Sequence, residues 1–294
     1  MSGKMGRRDF GVSCVGATLA ALSGAALGGT SKIAAFGEEN GAADGQNSEN
    51  SEKMRILLVV GGHSYDREGL HAALKDCPNS TFDEISIPEK QDMLKPGLSK
   101  DYDVVVFHDQ SFFELTQEQK DNLTALWSDE GIPTVMLHHS LISHPDFPLF
   151  RDVFGAQFII KETEIEGRVY RKSTYKRPTD VNIYIVDRPH PITEGVKDFK
   201  INDEVFQYVY FNPRIDVLAR TDHPESDAPV VWTWRYKKTP VFGMIQGDAN
   251  GAFGDANYRK ILYQGLRWVV DQKKNGCFAA RRAIFETNVD SRSI

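Results

Sequence analysis

Three strongly apolar runs, separated by segments with helical spacing, limit what this chain can fold into. The runs are MRILLVV at residues 54–60, YDVVVFHD at 102–109 and IPTVMLHH at 132–139. Helical patterns follow them, in EGLHAALKD (68–76), TQEQKDNLTALWSDEG (116–131) and PLFRDVFG (148–155). Apolar strands that alternate with helices are typical of a parallel sheet with helices on both faces. We therefore predict an α/β fold with a mostly parallel sheet.

The second half of the chain has more strand character. Apolar β-like segments lie at 179–187, 215–220, 229–236 and 240–248. Residues 237–239 predict a hairpin turn between the last two of these segments. Asp255 as N-cap and an apolar stripe behind it predict a closing helix. We assign residues 54–275 to one domain.

The N-terminal segment has the pattern of a targeting signal. Arg7 and Arg8 precede Phe10 and an uncharged run rich in alanine and glycine, which resembles a twin-arginine export signal. The run is too short and too rich in glycine for a convincing membrane span, and an uncleaved membrane anchor is the alternative. We predict an export signal over residues 1–36. The mature protein is then periplasmic or secreted, without a stable membrane span.

Two segments flank the predicted domain. Residues 37–53 are polar and acidic and contain almost no large apolar side chains, so they cannot bury enough surface to offset the entropy of ordering. We predict a flexible linker there and a C-terminal tail over residues 276–294. Cys77 and Cys277 would remain after signal removal. We interpret them as free thiols, with a disulfide between them as the alternative.

The charge distribution excludes one class of partner. The formal net charge is −6 at pH 7, and no basic stripe dominates the sequence. Proteins that bind the phosphate backbone depend on clustered Lys and Arg side chains. Nucleic acid is therefore not an expected partner.

Polar clusters follow three of the predicted strands. They are residues 61–66, which contain His63, residues 108–110, which contain Asp109, and His138-His139-Ser140. Because ligands of open parallel sheets bind beyond the carboxyl ends of the strands, we predict that these clusters meet in one crevice. Adjacent side chains of a strand face opposite ways, so we expect one of the two histidines to point into the crevice. The other would then pack sideways or cap a neighbouring loop.

Later segments add further candidates. His190 lies in a turn between two prolines, where a hydrogen bond to the turn backbone is an equally good interpretation. Asp203 and Glu204 follow about a dozen residues on. Gln246 and Asp248 end the last apolar run. The glycines around them are typical of turns, because their spacing matches neither a P-loop nor a dinucleotide fingerprint.

Together these segments resemble the ThuA-like (trehalose-utilisation) family over about residues 54–270. The resemblance rests on ILLVVGGHSYD, YDVVVFHD, GIPTVMLHHS, HPITEGVKDFKINDEVFQY and PVVWTWRYKKTPVFGMIQGD followed by NYRKILYQGLRWVV. It implies the fold of class I glutamine amidotransferases, a flavodoxin-like three-layer α/β sandwich. It also implies a small-molecule carbohydrate as the partner.

The resemblance implies that the strand end at residue 138 belongs to the active site. In amidotransferases the corresponding strand end carries a nucleophilic cysteine on a sharp strand-to-helix turn, but here His138, His139 and Ser140 hold that position. No cysteine lies within fifty residues, so cysteine-based glutaminase chemistry is excluded. Ser140 lacks the Gly-x-Ser-x-Gly context of a nucleophile and is better interpreted as a helix cap.

One position departs from the family pattern. Family members commonly end the late strand with Gly-His, whereas this chain has Asp248 in place of that histidine. An aspartate accepts a proton or binds a hard metal ion, but with a different reach and a lower ordinary pKa. The departure therefore puts the family's activity in doubt for this chain.

Two hypotheses follow. In the first, an exported enzyme acts on a sugar or keto-sugar by acid–base chemistry of His138, His139 and Asp248. Substrate contacts would come from the remaining candidates, which are His63, Asp109, Ser140, His190, Glu204 and Gln246. A divalent metal such as zinc or manganese, held by the His and carboxylate groups, is a variant of this hypothesis. In the second, the protein is a non-catalytic carbohydrate-binding or scaffold module, in which Trp232 and Trp234 stack on sugar rings unless they belong to the core.

Overall fold

The computed structural model describes residues 53–248 and 250–275. The predicted export signal, the predicted linker up to residue 52, Cys277 and the predicted tail lie outside these residues. The described chain forms a nine-stranded central sheet that helices cover on both faces. The predicted α/β fold is confirmed.

The first half alternates strands and helices, as the apolar pattern predicts. Its elements are β1 (Met54–Gly61), α1 (Arg67–Lys75), β2 (Ser80–Ser86), β3 (Val104–Asp109), α2 (Gln117–Ala125), β4 (Thr134–Leu137) and α3 (Leu149–Phe154). A π-helical turn, Leu126–Glu130, extends α2. Short 3₁₀-helices lie at Gln91–Met93, Leu98–Lys100 and His138–Ile142.

The second half is built mainly from strands. They are β5 (Ala156–Gln157), β6 (Thr163–Ile165), β7 (Arg168–Tyr170), β8 (Thr174–Ile185), β9 (Phe199–Gln207), β10 (Tyr210–Phe211), β11 (Asp216–Arg220), β12 (Pro229–Tyr236) and β13 (Thr239–Met244). A 3₁₀-helix, Pro191–Thr193, precedes β9, and α4 (Asn250–Phe253) and α5 (Ala256–Asn275) follow β13. Strand β9 was not expected from the sequence pattern.

Side-chain caps begin α2 and α5, and the cap predicted at Asp255 is present. Thr116 and Gln119 form a reciprocal capping box at the start of α2, with N–H···O distances of 3.2 and 3.0 Å. Gly131 ends the following turn in the left-handed region, at φ +69°. The carboxylate of Asp255 accepts the N–H groups of Asn257 and Tyr258, at 2.8 and 2.9 Å. These side chains satisfy backbone donors that a helix leaves unpaired at its start.

The strand order is β2-β1-β3-β4-β13-β12-β11-β8-β9. The first five strands pair in parallel, whereas the remaining pairs are antiparallel. The carboxyl ends of β1, β3, β4 and β13 therefore lie at one edge of the sheet, which we call the carboxyl edge. This edge holds every polar cluster that the sequence placed after an apolar run.

The two faces of the sheet carry different helices. Gly265 of α5 lies so close to the ring of Phe242 that a Cβ there would come within 2.2 Å of it. The neighbouring Gly243 faces Trp232, whose indole N–H donates to the carbonyl of Phe154 in α3 at 3.0 Å. Because adjacent residues of a strand face opposite ways, α5 and α3 cover opposite faces. Of the described residues, no helix is long and apolar enough to cross a membrane.

Most of the β8–β9 hairpin extends beyond the strand β11, with which it joins the sheet. Only Tyr184 and Ile185 of β8 pair with β11, while β8 and β9 pair along most of their length. The register shifts between Lys176 and Thr179, which places two residues of β8 opposite the single residue Glu204. Bulges of this kind bend a strand and re-aim its side chains. This hairpin brings acidic and basic groups to the carboxyl edge from far along the chain.

Candidate functional site

The site begins where β4 ends. The chain leaves the strand after Leu137 and turns into a 3₁₀-helix at His138, whose φ of +38° lies in the left-handed region. Such backbone is strained for a residue with a side chain and is concentrated at functional sites. The sharp turn that the resemblance implied is therefore present, with His138 at its strained position.

Both histidines of this turn contribute to the same cluster. The rings of His138 and His139 lie 4.4 Å apart, and nitrogen atoms of both are close to the carboxylate of Asp248. The expectation that one of them would pack sideways was wrong. It assumed that the strand continues, whereas the left-handed turn at His138 ends the alternation of side chains.

His138 is fully buried and has partners on both nitrogens. Its Nδ1 lies 2.5 Å from the carbonyl oxygen of Ile245, and its Nε2 lies 2.9 Å from Glu204 Oε2. Asp248 Oδ1 is 3.8 Å from the same Nε2. The ring stacks on Phe206, with 4.9 Å between centroids. These contacts hold the imidazole in one orientation.

His139 lies between the fully buried His138 and the half-buried His63. Its Nε2 is 3.4 Å from Asp248 Oδ1, and its ring is 4.4 Å from the ring of His63. The side chain is only 4% exposed. The predicted meeting of the β1 and β4 clusters at one sheet edge is thus observed in the structure.

The acidic side chains are held by Asp203. One oxygen of Asp203 accepts the N–H groups of Glu204 and Asp248, at 2.7 and 3.1 Å. The other accepts the N–H of Gly247, at 2.8 Å. Asp203 itself is buried, with 2% of its surface exposed. It positions the two neighbouring carboxylates by fixing their backbone.

Burial and charge set the protonation of the cluster. Burial lowers the pKa of His139 to about 3, so its ring is uncharged at neutral pH. Burial also opposes protonation of His138, but the bond to Glu204 and the charges of Asp203 and Glu204 outweigh it and raise the pKa. The bond to His139, and the positive charges of His138 and Arg177, lower the pKa of Asp248. Asp248 is therefore a carboxylate at any physiological pH.

The exposed mouth of the crevice contains Arg177, which sequence reasoning missed. Its guanidinium Nη1 lies 3.4 Å from Asp248 Oδ2, its Nε lies 3.9 Å from Glu204 Oε1, and its side chain is 44% exposed. Arg177 occupies the bulge of β8, and nothing in the local sequence marks it. His63 is half-buried at the same mouth.

Asp109 and Ser140 form a buried network behind the mouth. The hydroxyl of Ser140 donates to Asp109 Oδ1 and accepts the Asp109 N–H, each at 3.0 Å. Ser143 donates to Asp109 Oδ2 at 2.6 Å. Burial raises the pKa of Asp109. These hydrogen bonds connect the end of β3 to the turn after β4. Asp109 and Ser140 therefore stabilise the position of that turn.

Two further polar residues are buried beside the cluster. His108 Nε2 donates to the carbonyl of Gly247 at 2.9 Å, and its ring lies 5.3 Å from that of His139. Burial lowers the pKa of His108 to about 4. Gln246 is 2% exposed, and its backbone carbonyl accepts a hydrogen bond from the hydroxyl of Tyr258 at 3.2 Å. Both residues pack the strand ends against each other.

Three candidates lie elsewhere. His190 accepts the N–H of Ile192 at 3.1 Å and packs on Trp268, beside the end of the sheet where β1 begins. The structure therefore places it in the turn that the alternative interpretation described. Trp232 is fully buried, and both it and Trp234 donate their indole N–H groups to backbone carbonyls of α3. The tryptophan pair belongs to the packing of that face.

Four side chains have the geometry of a cation site. Ligand atoms of His138, His139, Glu204 and Asp248 all lie within 4.8 Å of one another. Imidazole nitrogen and carboxylate oxygen suit zinc and manganese, whereas magnesium and calcium prefer oxygen ligands alone. The residues present therefore fit a divalent transition metal.

Three solved structures are similar to this chain, and the first of them shows the fold. A putative ThuA-like protein from Parabacteroides merdae matches with a TM-score of 0.59 and 17% identity, over 75% of this chain and 91% of that one. PurLQS from Thermotoga maritima matches with a TM-score of 0.46 and 13% identity, over 74% and 99% of the two chains. A putative GMP synthase component from Thermoplasma acidophilum matches with a TM-score of 0.47 and 10% identity, over 77% and 98%.

Sequence comparison shows the family. No curated protein matches this chain. The family model described as ThuA, trehalose utilisation, matches residues 55–269, which include nearly all of β1 and most of α5 with every element between them. This chain belongs to the ThuA family.

Proposed function

We propose that this protein is an enzyme that acts on a sugar or keto-sugar, with its active site at the carboxyl edge. The observation that carries the proposal is the convergence of His138, His139, Glu204 and Asp248 within 4.8 Å. Their place supports it, because open α/β sheets bind ligands beyond the carboxyl ends of their strands. The family description, trehalose utilisation, supports a carbohydrate substrate.

The proposed chemistry is acid–base catalysis by histidine and carboxylate groups. A hydrogen on the carbon next to a ketone is acidic enough for removal by a positioned base. His139 and Asp248, with 3.4 Å between Nε2 and Oδ1, form the proton-active pair nearest the mouth. His63 and Arg177 lie at the same mouth, where they can bind hydroxyl groups of the sugar. Cys77 is buried next to α1, so no cysteine-dependent amidotransferase reaction is proposed.

Hydrogen–deuterium exchange into substrate tests this proposal. A panel of sugars and keto-sugars is incubated with the protein in deuterium oxide, and loss of substrate proton signals is followed by NMR. We expect exchange and turnover of at least one keto-sugar by the wild type, and a loss of at least about 100-fold in His139→Gln. His190→Gln is the control, because His190 lies outside the crevice, and we expect it to retain full activity.

A non-catalytic carbohydrate-binding or scaffold module is the alternative. It is supported by Asp248, which stands where related proteins commonly have histidine. The same panel separates the two functions: sugar binding by calorimetry with neither exchange nor turnover, in the wild type and in Asp248→His alike, would favour the binding module.

We also propose that the protein is exported to the periplasm or secreted. The proposal is supported by the Arg7-Arg8 pair and the uncharged run behind it. Receptor-read signals of this type depend on the arginine pair itself. A substitution of both residues therefore separates export from other roles of the segment.

A further inference from the structure

We infer that His138, His139, Glu204 and Asp248 bind one divalent first-row transition-metal ion, of the zinc or manganese class. The ion site itself follows from the geometry and charge of these four side chains. Its use on a sugar rests on the proposed function, which this inference deepens.

His138 has the hydrogen bonds of a metal ligand. The carbonyl of Ile245 only accepts, so Nδ1 of His138 carries the proton of that bond. Nε2 then faces Glu204 Oε2 and Asp248 Oδ1, at 2.9 and 3.8 Å, and the proton that it shares with Glu204 in the ion-free protein is the one that a metal ion would replace. Three electron-rich atoms need a proton or a cation between them. Histidines that bind metals commonly donate their second N–H to a backbone carbonyl in this way.

The distances suit one ion. Ligand atoms that lie about 2.0–2.2 Å from a zinc ion are roughly 3–4 Å from each other. His138 Nε2 and Glu204 Oε2 are 2.9 Å apart, and His139 Nε2 and Asp248 Oδ1 are 3.4 Å apart. The separations among the four ligand atoms stay within 4.8 Å. Side-chain adjustments of less than about 1 Å would therefore complete the coordination.

The charge of the cluster favours a cation. The side chains of Glu204 and Asp248 are only 5% and 15% exposed, and Asp203 is buried behind them. Among the described residues, Arg177 is the one permanently charged cation that contacts Glu204 and Asp248. Its guanidinium nitrogens lie 3.4 Å from Asp248 Oδ2 and 3.9 Å from Glu204 Oε1, and its side chain is 44% exposed. Buried carboxylates are costly unless they are paired or bind a metal.

The cluster is also prearranged. Asp203 fixes the backbone of Glu204, Gly247 and Asp248 through three N–H groups at 2.7–3.1 Å. Hydrogen bonds that support metal ligands in this way keep the ligands in place and tune the affinity for the metal ion. With the ion bound, His139 and Asp248 serve as ligands instead of the proton-active pair proposed for the ion-free site, and the half-buried His63 is then the group at the mouth that can transfer a proton. A sugar with a ketone next to a hydroxyl could then place both oxygens toward the ion, so this is the substrate class that the site favours.

Direct binding measurements test the inference. The full-length protein is stripped with chelator and titrated with ZnCl₂ or MnCl₂ by calorimetry, and Co²⁺ uptake is followed by visible absorption. We expect one equivalent of ion per chain, with tight binding that weakens at least about 100-fold in Glu204→Gln and in Asp248→Asn. Circular dichroism confirms that each variant is folded.

Glu84→Gln is the matched control. Glu84 contacts His71, with 2.5 Å between Oε2 and Nε2, but no second histidine joins this pair in the described structure. We expect its loss to leave ion affinity within about twofold of the wild type. A folded wild type that takes up neither ion, or equal weakening in Glu84→Gln, overturns the inference.

The outcomes separate this inference from the proposed function. Ion binding is measured without any sugar, so a protein that binds the ion but converts no substrate retains the metal site and loses the proposed function. A stripped protein that turns over a keto-sugar at the full rate retains the proposed function and contradicts a role for the ion there.

Discussion

The substitution Asp203→Asn tests whether the carboxyl edge is prearranged by one buried side chain. The two oxygens of Asp203 accept three backbone N–H groups, from Glu204, Gly247 and Asp248. An asparagine has nearly the same shape but only one accepting oxygen. In its best orientation it keeps the bonds to Glu204 and Asp248, and turns its NH₂ group toward the N–H of Gly247.

The expected magnitude follows from that one mismatch. A buried N–H that loses its acceptor costs about 1–3 kcal/mol of the free energy of unfolding. The loss is local, because the packing volume at position 203 hardly changes. Gly247 and Asp248 are then free to shift, and loss of a supporting contact lowers metal affinity by about 10- to 100-fold. Asp203→Asn should therefore weaken both folding and ion binding.

Urea denaturation and zinc calorimetry measure the two effects. The control is Glu130→Gln, because Glu130 also accepts two backbone N–H groups, from Gly97 and Ser99 at 2.5 and 2.7 Å. Glu130 lies before β4, at the opposite edge of the sheet from the site. We expect the control to retain wild-type zinc affinity. An Asp203→Asn protein with unchanged affinity, or a control that weakens zinc binding equally, would refute the positioning role.

Three further predictions concern other parts of the chain. Asp248→His exchanges an oxygen ligand for a nitrogen, so it should retain zinc binding and weaken manganese binding by at least about tenfold, as calorimetry would show; the reverse preference would contradict the ligand assignment. Burial lowers the pKa of His144 to about 4 in the folded protein. As the pH falls, the His144 ring is therefore protonated first in the unfolded state, and the free energy of unfolding decreases between about pH 6.5 and 4. His144→Asn should reduce the loss of unfolding free energy between pH 7 and 4.5 by about 2 kcal/mol in urea titrations, and an unchanged slope would argue against a buried neutral ring. Replacing Arg7 and Arg8 by lysines in a fusion of residues 1–40 to a reporter should abolish export, and undiminished export would exclude a twin-arginine signal.

The βα half of the fold follows from local pattern. β1, β3 and β4 are buried on both faces, so their apolar character is continuous and visible in the sequence. The capping residues Thr116 and Asp255 act within three residues of themselves, so their roles are equally visible. Such features require no knowledge of distant contacts.

Strand β9 shows why the second half is harder to predict. Its apolar alternation runs through Phe199, Ile201 and Val205, but Asp203 occupies the inward position between them. Asp203 interrupts the alternation of apolar residues that would predict a strand. A charged residue at an inward position also indicates that this position has a polar role. An inward aspartate in a strand needs buried donors, and the sequence does not show where those donors come from.

By itself, the sequence determined that polar side chains follow the apolar strands, and it therefore predicted a crevice at the carboxyl edge with His63, Asp109 and one of the two histidines His138 and His139. Only the tertiary structure decided how these groups are combined. The turn at His138 directs both histidines into one cluster.

The β8–β9 hairpin supplies the rest of the cluster from far along the chain. Glu204 contacts His138 across 66 residues, Asp203 contacts Gly247 across 44, and Arg177 contacts Asp248 across 71. Contacts over such separations depend on the bend and register of a hairpin, which are set by packing against the rest of the domain and not by neighbouring residues. For the same reason His190, equally suggestive in the sequence, lies at the other end of the sheet, where it caps its own turn.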